Sequence, residues 1–320
     1  MPNPIRVFAD PAWLDRVAAA CREVPRQTLA LPEGGNGRID VPVVRDLFRL
    51  PGGEALSGWR IGAVHHTDYL DFPDLHAFGE QELHGLLGAA RKAGCAFVLF
   101  SHVPRGGSLG RLLHGTAQQD GDWHTLACQP ALGVDATMGS GAWWASRGRE
   151  SRRRLERYRR KALEAGGVFA IEPATEETLE ILLDLQSQRS EQAGLDCFAA
   201  MPDFSALIRS LAGTGIARVA TLRLEDECAG ILLLLGDGDA TGIYAQAFAP
   251  RWRHLSPGTG LFVHVIEDAF RRGLRYVDFL RGDEPYKRHM ATTTVEMDKH
   301  LWLAPDAPPD TLAFFEGLIE

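Results

Sequence analysis

The alternation of apolar and polar positions predicts short strands and amphipathic helices along most of the chain. Residues 78–93 repeat leucine and alanine at helical spacing, and residues 95–100 form the continuous apolar run that is typical of a buried strand. Further strands are predicted at 27–31, 41–48, 59–64, 123–128, 168–172, 218–224, 229–235 and 295–303. Further helices are predicted at 13–24, 109–113, 147–165, 175–193, 204–212 and 311–319. This mixture of helices and strands predicts a mixed α/β fold.

The most informative stretch is Tyr244–Lys287, which reads as strand, glycine-rich turn, helix, strand and polar turn. The strands are predicted at 244–248 and 276–280, and the helix between them at about 258–272. A helix start presents N–H groups without intrahelical acceptors and the positive end of the peptide dipoles. Pro257, Gly258 and Gly260 stand at this start, and glycine lets another molecule approach the backbone closely. The turn is therefore either a phosphate site or a tight turn that requires glycine for steric reasons.

The same stretch resembles the acyl-CoA pocket of GNAT-type N-acyltransferases. More narrowly, it resembles the two-module branch of CelD-like (BioF2-like) acetyltransferases and Fem-type aminoacyl transferases. The resemblance covers about residues 60–300 and rests on these segments: Phe248–Pro250, Ser256–Leu261, Gly273, Asp278–Leu280, Gly282–Lys287, Arg152–Arg160 and Gly166–Ala170.

The resemblance implies tandem GNAT-like modules of mixed α/β structure. A degenerate module over residues 1–145 is expected to provide packing and one wall of the acceptor site, and residues 146–320 are expected to hold the acyl-CoA. The two strands would be parallel neighbours that separate, with the pantetheine arm between them. The residues implied in donor binding are Gln246, Phe248, Arg253, Leu255, Ser256, Gly258, Thr259 and Gly260. Leu255 departs from the family pattern, which has Gln or Arg there, and Arg253 is the nearest substitute.

The resemblance also implies where the chemistry takes place. Asp283 and Glu284 are candidate bases for the amine, whereas Asp278 is less favoured because it can point into the core. Tyr244 or Tyr286 would protonate the leaving thiolate. The residues implied in acceptor binding are Gln188, Arg189 and Lys287. The alternative for the acidic pair is that Asp283 and Glu284 merely cap the next short helix.

The chain is acidic as a whole but contains one strongly basic helix. The formal net charge of -8 argues against general nucleic-acid binding, whereas residues 147–161 carry nine arginine and lysine residues. That helix is either an anion-binding face, for an RNA-borne donor or the CoA 3′-phosphate, or a solvated helix paired with acidic neighbours.

The remaining composition excludes several classes of protein. The five cysteines are widely spaced without a CxxC, which argues against disulfides and zinc and favours a reducing, cytoplasmic location. His65 and His66 are adjacent and would point to opposite sides of an extended chain, so no metal is expected. No signal peptide and no apolar run long enough for a membrane span is visible, and no membrane partner is expected.

Three functions stay open at this stage. The first is an N-acyltransferase that moves an acyl group, such as acetyl, from acyl-CoA to an amine of a small metabolite, amino-acid derivative or amino sugar. The second is a Fem-type transferase with an aminoacyl-tRNA donor. The third is a non-catalytic binding protein on the same scaffold.

Overall fold

The structure is a computed structural model that describes residues 5–21, 26–32, 38–62, 66–70, 75–117, 122–193, 198–236 and 238–318. The strands are β1 Arg26–Pro32, β2 Arg38–Arg49, β3 Ala55–Ile61, β4 Phe97–Pro104, β5 Trp123–Ala127, β6 Ala131–Asp135, β7 Val168–Pro173, β8 Ala217–Leu224, β9 Glu227–Gly236, β10 Ala240–Phe248, β11 Tyr276–Arg281, β12 Thr293–Val295 and β13 Met297–Leu303. The helices are α1 Pro11–Ala20, α2 Glu80–Lys92, α3 Ser108–Ala117, α4 Gly139–Ser146, α5 Arg149–Glu164, α6 Glu176–Ala193, α7 Pro202–Ser210, α8 Pro257–Arg272, α9 Pro285–Arg288 and α10 Thr311–Gly317. The predicted mixed α/β class is confirmed.

The chain divides into two compact units, each of which is discontinuous in sequence. The first unit comprises Phe8–Gln129 with Val295–Glu320, and the second comprises Met1–Val7 with Pro130–Thr294. The sequence prediction drew one boundary at 145/146, whereas this division assigns the last residues of the chain to the first unit.

The sheet of the first unit has the strand order β1-β2-β3-β4-β13-β5. Strands β3 and β4 are its parallel pair, and α2 lies between them in sequence. The predicted apolar stripe of α2 is buried on this sheet together with Trp59, Phe100 and Trp302. Phe97, Leu99 and Phe315 pack in a separate core cluster.

The sheet of the second unit has the strand order β12-β6-β11-β10-β9-β8-β7. Strands β10 and β11 are parallel, and α8 connects them. The strand assignments made from sequence for 244–248 and 276–280 are confirmed, although β10 begins four residues earlier, at Ala240. Leu261, Val265 and Ile266 of α8 pack in the core of this unit.

Both sheets follow one plan, in which a parallel pair joined by a helix is followed by an antiparallel strand from the other half of the chain. In the first sheet β13 pairs with β4, and in the second sheet β6 pairs with β11. Each pairing has an irregularity, and each irregular strand contains a non-glycine residue with positive φ: His102 at 57° and Leu280 at 59°. The repeated plan is the duplication that the family resemblance implied.

The boundary that the sequence prediction drew at 145/146 falls within α4. Trp143 of this helix is completely buried. The indole N–H of Trp143 donates to the carbonyl of Met290 at 3.0 Å. The small residues around Trp143 form a helix that packs in the core of the second unit.

The glycine-rich sequence Gly34–Gly37 predicts a hairpin turn, but it lies outside the described residues. Strands β1 and β2, on either side of it in the sequence, form an antiparallel pair. None of the described helices combines the length and the apolar character that crossing a bilayer requires.

Candidate functional site

The parallel strands β10 and β11 of the second unit separate soon after they begin. Their pairing runs from Ala240 opposite Tyr276 to Gly242 opposite Asp278, and β10 then continues to Phe248 paired with β9 alone. On its other side β11 pairs with β6. The second sheet therefore contains a wedge-shaped gap that is closed at Gly242, and the predicted separation of the two strands is confirmed.

Both strands are irregular where the gap begins. The register of β10 shifts between Ile243 and Ala245, so Tyr244 is an extra residue relative to β9. In β11 the left-handed backbone of Leu280 accompanies a shift between Asp278 and Arg281. Such conformations are unfavourable for large residues and tend to be retained at functional sites.

Helix α8 starts beside the open end of the gap without a cap. Its N-cap residue Ser256 is left-handed, at φ 52° and ψ 56°, and its side chain makes no capping hydrogen bond. The first turn contains no acidic residue. The unpaired N–H groups of a helix start and its positive dipole end together attract anions.

Helix α2, which joins the parallel strands of the first sheet, has the opposite arrangement. Its first turn carries Glu80 and Glu82, and the N–H of the N-cap residue Gly79 donates to the Glu82 carboxylate at 2.9 Å. Glu82 is buried. This helix start is therefore already occupied by an anion of its own chain, whereas the start of α8 is not.

Gln246 on β10 lies between the start of α8 and Tyr286 on α9. Its Nε2 donates to the Tyr286 hydroxyl at 2.7 Å. A methyl group placed on Gly258 would lie 3.8 Å from Oε1 of the same side chain. Three residues that the sequence assigned to the donor and the chemistry are thus neighbours.

The phenol of Tyr286 is a weak acid in this position. Its ring packs edge-on against Phe262, with the centroids 5.4 Å apart. Burial raises the pKa of Tyr286 to about 12, and the nearby Glu284 carboxylate acts in the same direction, while the hydrogen bond from Gln246 opposes them. Tyr286 therefore remains protonated and can donate a proton at neutral pH.

Arg189 of α6 lies beside Phe248, the last residue of β10. The guanidinium of Arg189 stands over the Phe248 ring, 5.1 Å from its centroid. Gln188 is exposed, and Tyr244 is half-buried in the irregular part of β10.

The polar turn after β11 is held by ion pairs within the chain. Asp283 is exposed and pairs with Arg288. Glu284 is the N-cap residue of α9 but makes no side-chain capping bond, and it pairs with Lys287 at 3.1 Å. Lys287 is 6% exposed and also donates to the Arg281 carbonyl.

The remaining predicted donor residues surround the start of α8. Leu255 is buried in the core of the second unit, whereas Arg253 is exposed. Thr259 is half-buried, and Gly260 is buried close to the Phe169 ring. Phe262 packs against Tyr286, and Ile5 lies beside Gly242 at the closed end of the gap. Sequence reasoning did not select these two residues because neither stands in a recognisable motif.

The basic helix α5 packs against α8 and against the 250–255 turn that precedes it. It carries eight arginine and lysine residues against three glutamates. Among the described residues its ion pairs are Arg159 with Glu267 at 2.8 Å and Arg160 with Glu164 at 3.4 Å. The predicted pairing with acidic neighbours is therefore present for two of the eight cations.

Comparison with known proteins agrees with this geometry. The sequence model of the acetyltransferase (GNAT) domain matches residues 149–288, which include α5, α8, β10, β11 and α9. No curated protein matched the chain in a sequence search. Residues 149–288 therefore resemble a GNAT-type acetyltransferase domain, and the predicted resemblance is confirmed.

Solved structures of similar fold extend the likeness to nearly the whole chain. FemX has a TM-score of 0.62 at 11% identity, covering 94% of this chain and 93% of its own. L-PGS from Bacillus licheniformis has a TM-score of 0.57 at 13% identity, with 99% of each chain covered. The C-terminal (DUF2156) domain of a putative lysylphosphatidylglycerol synthetase from Agrobacterium fabrum has a TM-score of 0.56 at 13% identity, with 95% of each covered. The chain thus shares the tandem GNAT-like fold of this Fem-type branch.

Proposed function

We propose that the protein transfers an acyl group from acyl-CoA to the amine of a small molecule. The observation that carries this proposal is the uncapped start of α8 beside the open end of the gap between β10 and β11. The N–H groups of the first turn would bind the diphosphate of CoA, and Gly258 leaves the backbone accessible. The pantetheine arm would then lie along β10, where pairing with β11 has ended.

Acyl transfer needs a base for the amine and an acid for the thiolate. The attacking nitrogen forms a bond to the thioester carbon, the carbon–sulfur bond breaks, and the thiolate takes a proton. Tyr286 is suited to supply that proton because it is protonated at neutral pH and is held by Gln246. Asp283 and Glu284 are the candidate bases, and Tyr244 is the alternative acid.

The acceptor would approach from the side of α6 and α9. Arg189 and Gln188 are exposed there and can contact a polar amine substrate. Lys287 is bound to Glu284 and the Arg281 carbonyl, so in our proposal it supports the turn that carries the acids.

One donor site per chain is expected, as the sequence prediction of a degenerate first module implied. The start of α2 already holds the Glu82 carboxylate. A second anion in that position would meet a buried negative charge, which is unfavourable.

A second candidate is a Fem-type transferase with an aminoacyl-tRNA donor. The observation that favours it is α5, where six of the eight cations have no ion pair among the described residues. The overall charge of -8 weighs against it.

Isothermal titration calorimetry with acetyl-CoA, CoA and deacylated tRNA tests the two candidates. We expect saturable binding of acetyl-CoA and CoA, and release of free CoA when a panel of amines is added. Binding of tRNA without CoA would favour the second candidate. Binding of neither would leave the non-catalytic alternative and refute the proposal.

The Arg153→Glu/Arg154→Glu variant separates the roles of α5. Arg153 is exposed and Arg154 half-exposed, so the fold should persist. A tRNA donor predicts a large loss of tRNA affinity and a smaller salt dependence in this variant, because fewer counterions are released.

A further inference from the structure

Two apolar side chains pack beside Gly242 at the closed end of the gap between β10 and β11. A methyl group placed on Gly242, the last residue of β10 that pairs with β11, would lie 2.5 Å from Cδ1 of Ile5 and 3.5 Å from Cδ2 of Leu280. Ile5 is 2% exposed and Leu280 is 3% exposed. The end of the gap is therefore a packed apolar floor.

Asp278 holds both parts of this floor. Its carboxylate accepts a hydrogen bond from the N–H of Leu280 at 2.8 Å and another from the N–H of Ile5 at 3.3 Å. Asp278 is completely buried, and a buried carboxylate is stabilised by such donors. The unusual backbone of Leu280 and the position of Ile5, which comes from a distant part of the sequence, are therefore fixed by one side chain.

The direction of the gap relates this floor to the donor. The start of α8 lies beyond the end of β10, at the open end, and Gly242 marks the closed end. A CoA molecule whose diphosphate is bound at α8 would direct its arm toward Gly242, so its acyl group would meet the floor first. The chemistry of the floor then decides which acyl groups fit.

We propose that Ile5 and Leu280 form the floor of the acyl pocket and restrict the donor to short, uncharged acyl groups such as acetyl. This inference rests on the proposed function and deepens it. A longer chain would have to displace packed side chains, which is unfavourable in a dense core. A charged aminoacyl group would meet apolar atoms instead of a partner for its ammonium.

The experiment measures dissociation constants of free CoA, acetyl-CoA, butyryl-CoA and hexanoyl-CoA by isothermal titration calorimetry. The wild-type protein should bind acetyl-CoA at least about tenfold more tightly than hexanoyl-CoA, which corresponds to about 1.4 kcal/mol. Ile5→Ala should bring that ratio to within about threefold of unity and leave the affinity for free CoA unchanged. The substitution keeps the backbone hydrogen bond to Asp278, so it alters the side chain alone.

Two further variants keep the test decisive. Ile39→Ala removes the same atoms from a core residue of the first unit that is 1% exposed, and it should leave the selectivity ratio unchanged. Ile5→Val removes a single carbon and should shift the ratio partway, which covers the case that Ile5→Ala does not fold.

The outcomes separate this inference from the proposed function. If the wild-type protein binds neither CoA nor acetyl-CoA, the proposed function fails and the floor has no donor to select. If CoA binds but acetyl-CoA and hexanoyl-CoA bind equally, or if Ile5→Ala and Ile5→Val leave the ratio unchanged, the floor is refuted while the donor site stands.

Discussion

Substitution of Gly258 tests the site at α8 with little risk to the fold. A methyl group there would meet only Oε1 of Gln246 within 4 Å, at an ordinary contact distance of 3.8 Å. Alanine is also a better helix former than glycine, by roughly 0.5–1 kcal/mol within a helix. We therefore expect Gly258→Ala to leave stability unchanged or to raise the melting temperature by about 1–4 °C.

The same substitution should weaken the binding of CoA. Hydrogen bonds from N–H groups to a charged acceptor contribute about 1.5–3 kcal/mol each. If Gly258→Ala weakens one of them, the affinity for CoA should fall about tenfold. Gly258→Leu extends further over the helix start and should cost at least about 2.7 kcal/mol, which is about a hundredfold.

The assay combines differential scanning fluorimetry with calorimetric titration of CoA. Gly88, within α2, is the matched control, because a methyl group placed there meets nothing within 4 Å outside its own stretch of helix. Gly88→Ala and Gly88→Leu should keep the affinity for CoA. A folded Gly258→Leu protein that binds CoA as tightly as the wild type would refute the assignment of the diphosphate to this turn.

Three further predictions concern the same structure. Gly242→Ala should cost about 1–3 kcal/mol of unfolding free energy, because the added methyl group overlaps Ile5. In urea unfolding, the double variant Gly242→Ala/Ile5→Ala should be at least about 1 kcal/mol more stable than the sum of the two single effects predicts. Additive costs would contradict the contact between these two residues. Tyr286→Phe should slow acyl transfer to an amine acceptor, measured as release of free CoA, by about a hundredfold and change the affinity for acetyl-CoA by less than about twofold. Unchanged turnover in steady-state assays would exclude Tyr286 as the acid. Burial lowers the pKa of His300 to about 4; Arg105 and His114 act in the same direction, and Asp298 acts against it. The contribution of neutral His300 to stability is therefore complete above pH 6.5 and is lost as the pH falls toward 4. Between pH 7 and pH 5, the unfolding free energy measured in urea should fall by up to about 2 kcal/mol less in His300→Gln than in the wild type. An equal fall in the wild type and the variant would show that His300 does not titrate as described.

Local patterns were sufficient to predict the elements that form the candidate site. Strand β10, helix α8 and strand β11 each have a strong periodic signal, and proline and glycine mark the start of α8. The donor residues Gln246 and Gly258 and the polar residue Tyr286 were selected from one contiguous stretch, and the structure brings them together.

Contacts between distant segments could not be predicted in the same way. Strand β6 has only five residues and was missed, and nothing in the residues of β13 indicates that it completes the first sheet. Ile5 and Asp278 are 273 positions apart, so no local pattern relates them. The same limit applies to the unit boundaries, because each unit combines segments that are far apart in the sequence.

The placement of β13 has a consequence for the order in which this protein can fold during synthesis. In the first sheet β13 lies between β4 and β5, and pairs with both. Strand β5 ends at Ala127 and β13 begins at Met297, 170 positions later, so β5 cannot join the rest of the first sheet until almost the entire polypeptide has emerged from the ribosome.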